Sequence, residues 1–283
     1  MINTVGIVGG GIMGSGIAEV VARSGCHVVL REINVDAVDV AQRRFAASLD
    51  KAVRNGKLST DERDATLKRV SFTDTLDDLA ECDLVAEAAI EDEDVKTAIF
   101  AALGKVVRPD ALLTSNTSSI PIMKLAAVTP NPERVAGMHF FNPATVLPLV
   151  EIIPCELTSE DTVRRIDEFA HGKLGKTIIT AKDRAGFVVN ALLIPYLLAA
   201  IRMADAGLAS PEDIDTGMVA GCAHPMGPLA LADLIGLDTT AAVAVSMFEE
   251  TKEPLYAPPA LLLRKVEAGD LGRKTGRGFF SYR

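Results

Sequence analysis

Chemistry is written into this sequence at three glycines, one acid and a set of hydrogen-bonding side chains that close apolar runs. Gly9, Gly11 and Gly14 fit G-x-G-x-x-G directly after the apolar run 5–8, VGIV. Gly9 gives the conformational freedom of a tight turn, Gly11 leaves bare backbone for a pyrophosphate, and Gly14 lets a helix pack closely on the strand before it. The unpaired N–H groups and the positive dipole end of that helix then face the phosphates. A second apolar run, 28–30, ends at Arg31 and Glu32, with Glu32 23 positions after Gly9. That is close to the offset of about 20 at which a carboxylate reaches the adenosine ribose hydroxyls. A carboxylate repels a 2′-phosphate, so Glu32 favours NAD, while the adjacent Arg31 leaves NADP open. The glycine pattern alone is weak; the strand before it, the helical spacing of Ile12, Ile17, Val20 and Val21, and the acid after the second strand make it a dinucleotide motif.

Four further groups are candidates for a site in the crevice at the carboxyl ends of the strands, where open sheets of this kind bind ligands. They are S-N-T-S-S at 115–119, H-F-F-N-P at 139–143, Glu151, and Asn190 at the start of an apolar helix. Each also has an ordinary use. Ser119, two residues before Pro121, suits a helix cap; a lone histidine is more often structural; Asn190 suits a bond within a core. Their clustering at strand ends and helix starts behind a dinucleotide motif turns the reading towards a site.

The elements that must position these groups alternate. Residues 35–70 carry apolar positions at helical spacing, with a break near Asn55-Gly56, and read as a helical hairpin between two strands. Strand runs recur at 70–73, 84–89, 111–114, 135–140, 149–153 and 177–180, with helical patterns at 95–107 and 160–173. After residue 186 the texture becomes Ala- and Leu-rich, with helical patterns at 187–206, 211–220, 226–248 and 258–268. The fold class expected is α/β: a Rossmann-type, mostly parallel sheet with an inserted helical hairpin over 1–184, followed by an all-helical domain over 185–283.

The bulk properties narrow the partners. A chain of 283 residues, 48% hydrophobic and 24% charged, has the composition of an ordinary soluble globular protein and room for two domains. Its formal charge of −9 argues against nonspecific nucleic-acid or anionic-membrane binding, which needs a basic surface. Cys26, Cys82, Cys155 and Cys222 form no metal-type pair, so no metal is expected and the thiols read as packed in a reducing, cytoplasmic setting. No basic region followed by an apolar segment opens the sequence, and the longest uncharged stretch, 185–201, falls short of the ~20 residues of a membrane span.

Six ordered motifs, G-I-M-G-S-G (11–16), S-N-T-S-S (115–119), H-F-F-N-P (139–143), G-F-V-V-N (186–190), H-P-M-G-P (224–228) and L-G-R-K-T-G-R-G-F (271–279), together resemble the short-chain 3-hydroxyacyl-CoA dehydrogenases from end to end. The resemblance implies an NAD-linked enzyme on acyl-CoA thioesters, with a helical C-terminal domain that dimerises and closes the acyl-CoA cleft. His139 matches the family's catalytic histidine, Glu151 its carboxylate partner, and Ser118 and Asn190 the groups that bond the substrate oxygen. An imidazole titrating near ~6.5 suits a group that must take and return a proton. For the cofactor, the resemblance adds Ile12, Met13, Glu91, Lys96, Asn116, Ser118, Asn142 and Lys274 to Gly9, Gly11, Gly14 and Glu32. Lys96 and Lys274, read alone, are solvated surface lysines. Ser48, Lys51, Arg54 and Lys57 of the hairpin match the region that holds the CoA phosphates. Two departures stand out: Asn55 sits where relatives often carry lysine, and residues 144–148 (ATVLP) replace P-x-P-V-M-K. Two competing readings are a non-catalytic NAD-binding protein of this fold and a dehydrogenase for a free hydroxy acid with a lysine base.

Overall fold

The computed structural model describes residues 1–282. The chain divides into two compact units, Met1–Asp183 and Arg184–Arg283.

The first unit is built on eight strands among the described residues: β1 (Thr4–Val8), β2 (His27–Arg31), β3 (Val70–Thr73), β4 (Leu84–Glu87), β5 (Leu112–Ser115), β6 (Val135–Phe140), β7 (Leu149–Ile153) and β8 (Thr177–Thr180). They lie in the order β3-β2-β1-β4-β5-β6-β7-β8, and every pairing is parallel except β6 with β7. The first six follow the doubly wound dinucleotide order, so the strand order reverses beside β1, where such sheets open a crevice. Strands β4, β5 and β6 are buried throughout, which is why they read as near-continuous apolar runs.

Helix α1 (Ile12–Arg23) joins β1 to β2, and the hairpin of α2 (Val35–Arg54) and α3 (Thr60–Leu67) lies between β2 and β3. Asn34 caps α2 by accepting from the Ala37 N–H, and Ala41, Phe45 and Leu49, four residues apart, bury one stripe of it. Ser59 and Glu62 form a capping box that starts α3 after the Asn55-Gly56 break. Phe45 and Leu49 join Ile17 and Val21 of α1 and Val5, Ile7, Val28, Leu30 and Leu84 of the strands in one core. Helices α4 (Glu93–Val106), α5 (Ile122–Ala127) and α6 (Glu160–Asp167) complete the unit, α6 running on as a wider π turn through Lys173.

The second unit is helical: α7 (Val189–Asp205), α8 (Pro211–Thr216), α9 (Pro228–Ile235), α10 (Leu237–Thr251) and α11 (Ala260–Glu267), around Leu197, Leu198, Ile201, Leu229, Leu237, Met247 and Leu262. The single helix expected over 226–248 is two, bent by 95°. Gly236, at φ 106°, ends one and begins the next, and apolar spacing continues across it, so periodicity alone does not register the break. The carboxylate of Asp233 accepts from the N–H groups of Phe279 and Phe280, both at 2.9 Å, and from the Tyr282 hydroxyl at 3.0 Å, fastening the last turn of chain. No single helix among the described residues is long and apolar enough to cross a membrane. Cys26, Cys82 and Cys155 are packed, and burial pushes the Cys82 thiol up to about 12; Cys222, expected to be packed too, is exposed.

Candidate active site

The glycine turn has the shape its sequence requires. Gly9 takes φ 97°, and a Cβ there would meet the Ala88 carbonyl oxygen at 2.7 Å; a Cβ on Gly14 would lie 1.8 Å from the Gly9 oxygen. At Gly11 an added Cβ would find nothing within 4 Å, which leaves open space over the turn. Helix α1 starts here with Gly11 as its N-cap and no side chain capping it, so its first N–H groups remain available to an anion, and Ile12 and Met13 form its first turn. Glu32 is already oriented: one carboxylate oxygen accepts the Gly10 N–H at 2.6 Å and the other the Ile33 N–H at 3.0 Å. Arg44 donates to the Gly10 carbonyl from α2. These residues fit a dinucleotide.

A buried ion pair supports the next strand ends. Glu87, the last residue of β4, is fully buried and accepts from Lys96 Nζ at 2.6 Å, Ser115 Oγ at 2.6 Å and the Ala89 N–H at 2.7 Å. Lys96 is 1% exposed, so its reading as a solvated lysine is corrected: the register of α4 on β4 aims it inward at Glu87. Its ammonium also lies 3.4 Å from Glu91. Glu91 in turn accepts from the Thr117 hydroxyl, the Ser118 N–H at 2.9 Å, the Ser119 hydroxyl at 3.1 Å and the Ser118 hydroxyl at 3.4 Å, and so gathers the S-N-T-S-S loop around one carboxylate. Burial alone would raise the Glu91 pKa, but the Lys96 charge and these hydrogen bonds outweigh it and hold the carboxyl below its ordinary value. Asn116 accepts the Phe140 N–H at 2.8 Å, locking this loop to the end of β6.

Ser119 does not cap the helix that follows. Both oxygens of Asp183 take the Ile122 and Met123 N–H groups at 2.8 Å, because a carboxylate suits the positive end of α5 better than a hydroxyl already committed to Glu91. Replacing Lys96 by methionine leaves Glu87 buried without its cation. The expected loss is on the order of 3 kcal/mol of unfolding free energy, measured by urea denaturation.

His139 and Glu151 face each other across β6 and β7, the antiparallel pairing of the sheet, in the register His139↔Glu151. Directly opposed residues of such a pair project to the same side of the sheet. His139 Nδ1 lies 2.8 Å from Glu151 Oε2, with His139 6% exposed and Glu151 fully buried. The Phe141 ring packs edge-on against the imidazole at 4.6 Å between centroids. Asn142, joined to Pro143 by a cis peptide bond, follows at the mouth of the loop.

The first unit thus brings together Gly9, Gly11, Gly14 and Glu32 around one turn, Glu91, Lys96, Asn116 and Ser118 around another, and His139 with Glu151 beside them. Asn190, the second residue of α7 and half-buried, and Lys274 belong to the second unit, where Lys274 is held by both oxygens of Asp238 at 2.6 Å. Lys51, Arg54 and Lys57 stand at and just beyond the end of α2. Ser48 gives its proton to the buried Glu19 at 2.6 Å, so it meets a ligand only as an acceptor. Sequence reasoning does not find Glu87, Asp183 or Arg44, and it marks Thr117 only as part of the S-N-T-S-S loop. A charge closing the apolar run LVAE is the available signal for Glu87.

A doubly wound sheet with an open glycine turn and a pre-oriented acid defines the class of Rossmann-type dinucleotide-binding proteins. Residues 4–184 match the family described as "3-hydroxyacyl-CoA dehydrogenase, NAD binding domain", and residues 186–282 match "3-hydroxyacyl-CoA dehydrogenase, C-terminal domain". The chain belongs to the 3-hydroxyacyl-CoA dehydrogenase family and is an NAD-linked enzyme. It is 56% identical over 282 residues to the 3-hydroxybutyryl-CoA dehydrogenase of Mycobacterium tuberculosis H37Rv, covering 99% of both chains. Its fold is similar to the crystal structure of M. tuberculosis FadB2, with a TM-score of 0.98 at 56% identity over 100% of this chain and 99% of that one. It is also similar to that of (S)-3-hydroxybutyryl-CoA dehydrogenase PaaH1 from Ralstonia eutropha, with a TM-score of 0.93 at 46% identity over 100% of both chains.

Proposed function

We propose that this protein interconverts (S)-3-hydroxybutyryl-CoA and acetoacetyl-CoA, with His139 as the base and acid. The observation that carries the reading is the buried His139–Glu151 pair at 2.8 Å, set by strand register beside a serine loop organised on Glu91. The relatives named 3-hydroxybutyryl-CoA dehydrogenase support the substrate. When bound, NAD accepts or returns the hydride at the alcohol carbon.

The remaining work falls to this chain's own residues. Oxidising a secondary alcohol requires its hydroxyl proton to leave as the hydride does. With Glu151 ionised and accepting at Nδ1, the His139 proton sits on that nitrogen and basicity concentrates on Nε2, where the alcohol proton is taken up. The carboxylate also stabilises the imidazolium so formed. Ser118 and Asn190 bond the substrate oxygen, steadying charge as it develops. Gly9, Gly11, Gly14 and the α1 amides of Ile12 and Met13 receive the pyrophosphate and Glu32 the ribose. Glu91, Lys96, Asn116, Asn142 and Lys274 complete the cofactor set in this reading. Lys51, Arg54 and Lys57, with Ser48, take the CoA phosphates. The first 184 residues act as the dinucleotide-binding domain and the rest as a helical domain that supplies Asn190 and pairs two copies into a homodimer, working in the cytoplasm.

Reduction of acetoacetyl-CoA by NADH tests the reaction. Expected is a kcat/KM at least about a hundredfold above that for free acetoacetate, because the CoA handle contributes binding energy at the reacting carbon. Equal use of the free acid, or no turnover of the thioester, overturns the reading.

A further inference from the structure

The loop between the base and its carboxylate, residues 141–148, carries an unusual fastening. The N–H groups of Val146 and Leu147 both donate to the Pro143 carbonyl at 3.0 Å, a single helical turn. Continued by one residue, that turn would send the N–H of position 148 to the Ala144 carbonyl. Position 148 is proline and has no N–H to give. Lys176, just before β8, takes its place: Nζ donates to the Ala144 carbonyl at 2.6 Å and to the Leu147 carbonyl at 2.8 Å. The N–H of the next residue, Thr177, donates to the Pro148 carbonyl at 2.8 Å. Lys176 is 7% exposed, and its ammonium lies 6.0 Å over the Phe140 ring. Burial depresses its pKa.

The fastened turn touches the cofactor helix. Ala144 is buried, and a Cβ on Gly16 of α1 would lie 3.3 Å from the Ala144 Cβ, so this end of the loop has no slack against α1. Val146 and Leu147 of the turn are exposed, in the segment that joins the strand bearing His139 to the strand bearing Glu151.

We propose that Lys176 is a positioning residue of this enzyme: its ammonium stands in for the N–H that Pro148 lacks, and the turn it holds forms the wall that the acyl chain meets. The inference rests on the proposed acyl-CoA reaction. Three proteins test it: Lys176→Met, Pro148→Ala, and the two combined. Lys176→Met is expected to raise the KM for acetoacetyl-CoA about tenfold while kcat and the NADH Kd stay within about twofold. Pro148→Ala alone is expected to be near neutral, and in the Lys176→Met background to recover most of the lost KM by restoring an N–H at 148, a non-additivity that two unrelated lesions do not show. A Lys176→Met enzyme with the parent KM, or a loss that Pro148→Ala fails to recover, overturns the proposal. If Lys176→Met does not fold, a folded and active double variant supports the proposal and an unfolded one overturns it. Rescue read as thermal stability needs no substrate, so failure of the fastening and failure of the proposed reaction remain distinguishable.

Discussion

Alanine at position 139 is expected to cut acetoacetyl-CoA turnover by about 10²- to 10⁴-fold, the range for losing a positioned acid–base group. The site gives the number its meaning, because the imidazole does not hold the cofactor turn: Gly9 and Glu32 follow β1 and β2, Gly11 and Gly14 open α1, and two strands separate β1 from β6. NADH affinity is therefore expected to stay near the parent value while kcat collapses. Glu151→Gln separates the two partners. An amide can still accept from Nδ1–H and keep the ring oriented, but it no longer stabilises the imidazolium, so a smaller loss of kcat is expected. Steady-state rates of both variants, with NADH binding followed by fluorescence, check this. Parent-like rates for His139→Ala would remove the base assignment.

The second large effect is expected at the glycine turn, where two substitutions of the same size part company. Gly14→Ala puts a methyl 1.8 Å from the Gly9 carbonyl oxygen, a backbone atom that cannot swing aside, with Ile7 behind it at 3.4 Å. No rotamer relieves that overlap; either α1 lifts off β1 or the turn at Gly9 opens. The expected result is loss of measurable NADH binding together with a large drop in melting temperature. Gly11→Ala meets nothing within 4 Å in the protein, so it is expected to fold with near-parent stability and to lose NADH affinity by intruding on the pyrophosphate. Melting curves and NADH titrations of the pair check this, and equal melting temperatures would contradict the packing argument.

Much of the first unit is legible in the sequence because its central strands are apolar on both faces and end at turn residues. Strands β3, β6, β7 and β8 occupy the runs read from the sequence, and the Asn55-Gly56 break does separate α2 from α3. What stays hidden depends on pairing or on distance along the chain. Only the family resemblance pairs His139 with Glu151: they are twelve residues apart, and nothing local says that β7 runs back antiparallel to β6 and sets them face to face. Asp183 caps α5 from 61 residues away, a partner that no window reveals. Glu87 reads as one more strand residue, and only the inward register of α4 shows that Lys96 neutralises it. The bend at Gly236 escapes because periodic apolar positions continue on both sides of a single glycine.

The reversal of direction between β6 and β7 makes the two strands, rather than their connector, the template for the buried pair. Because the ladder register alone sets His139 opposite Glu151, their separation is expected to survive replacement of residues in the segment that joins the strands.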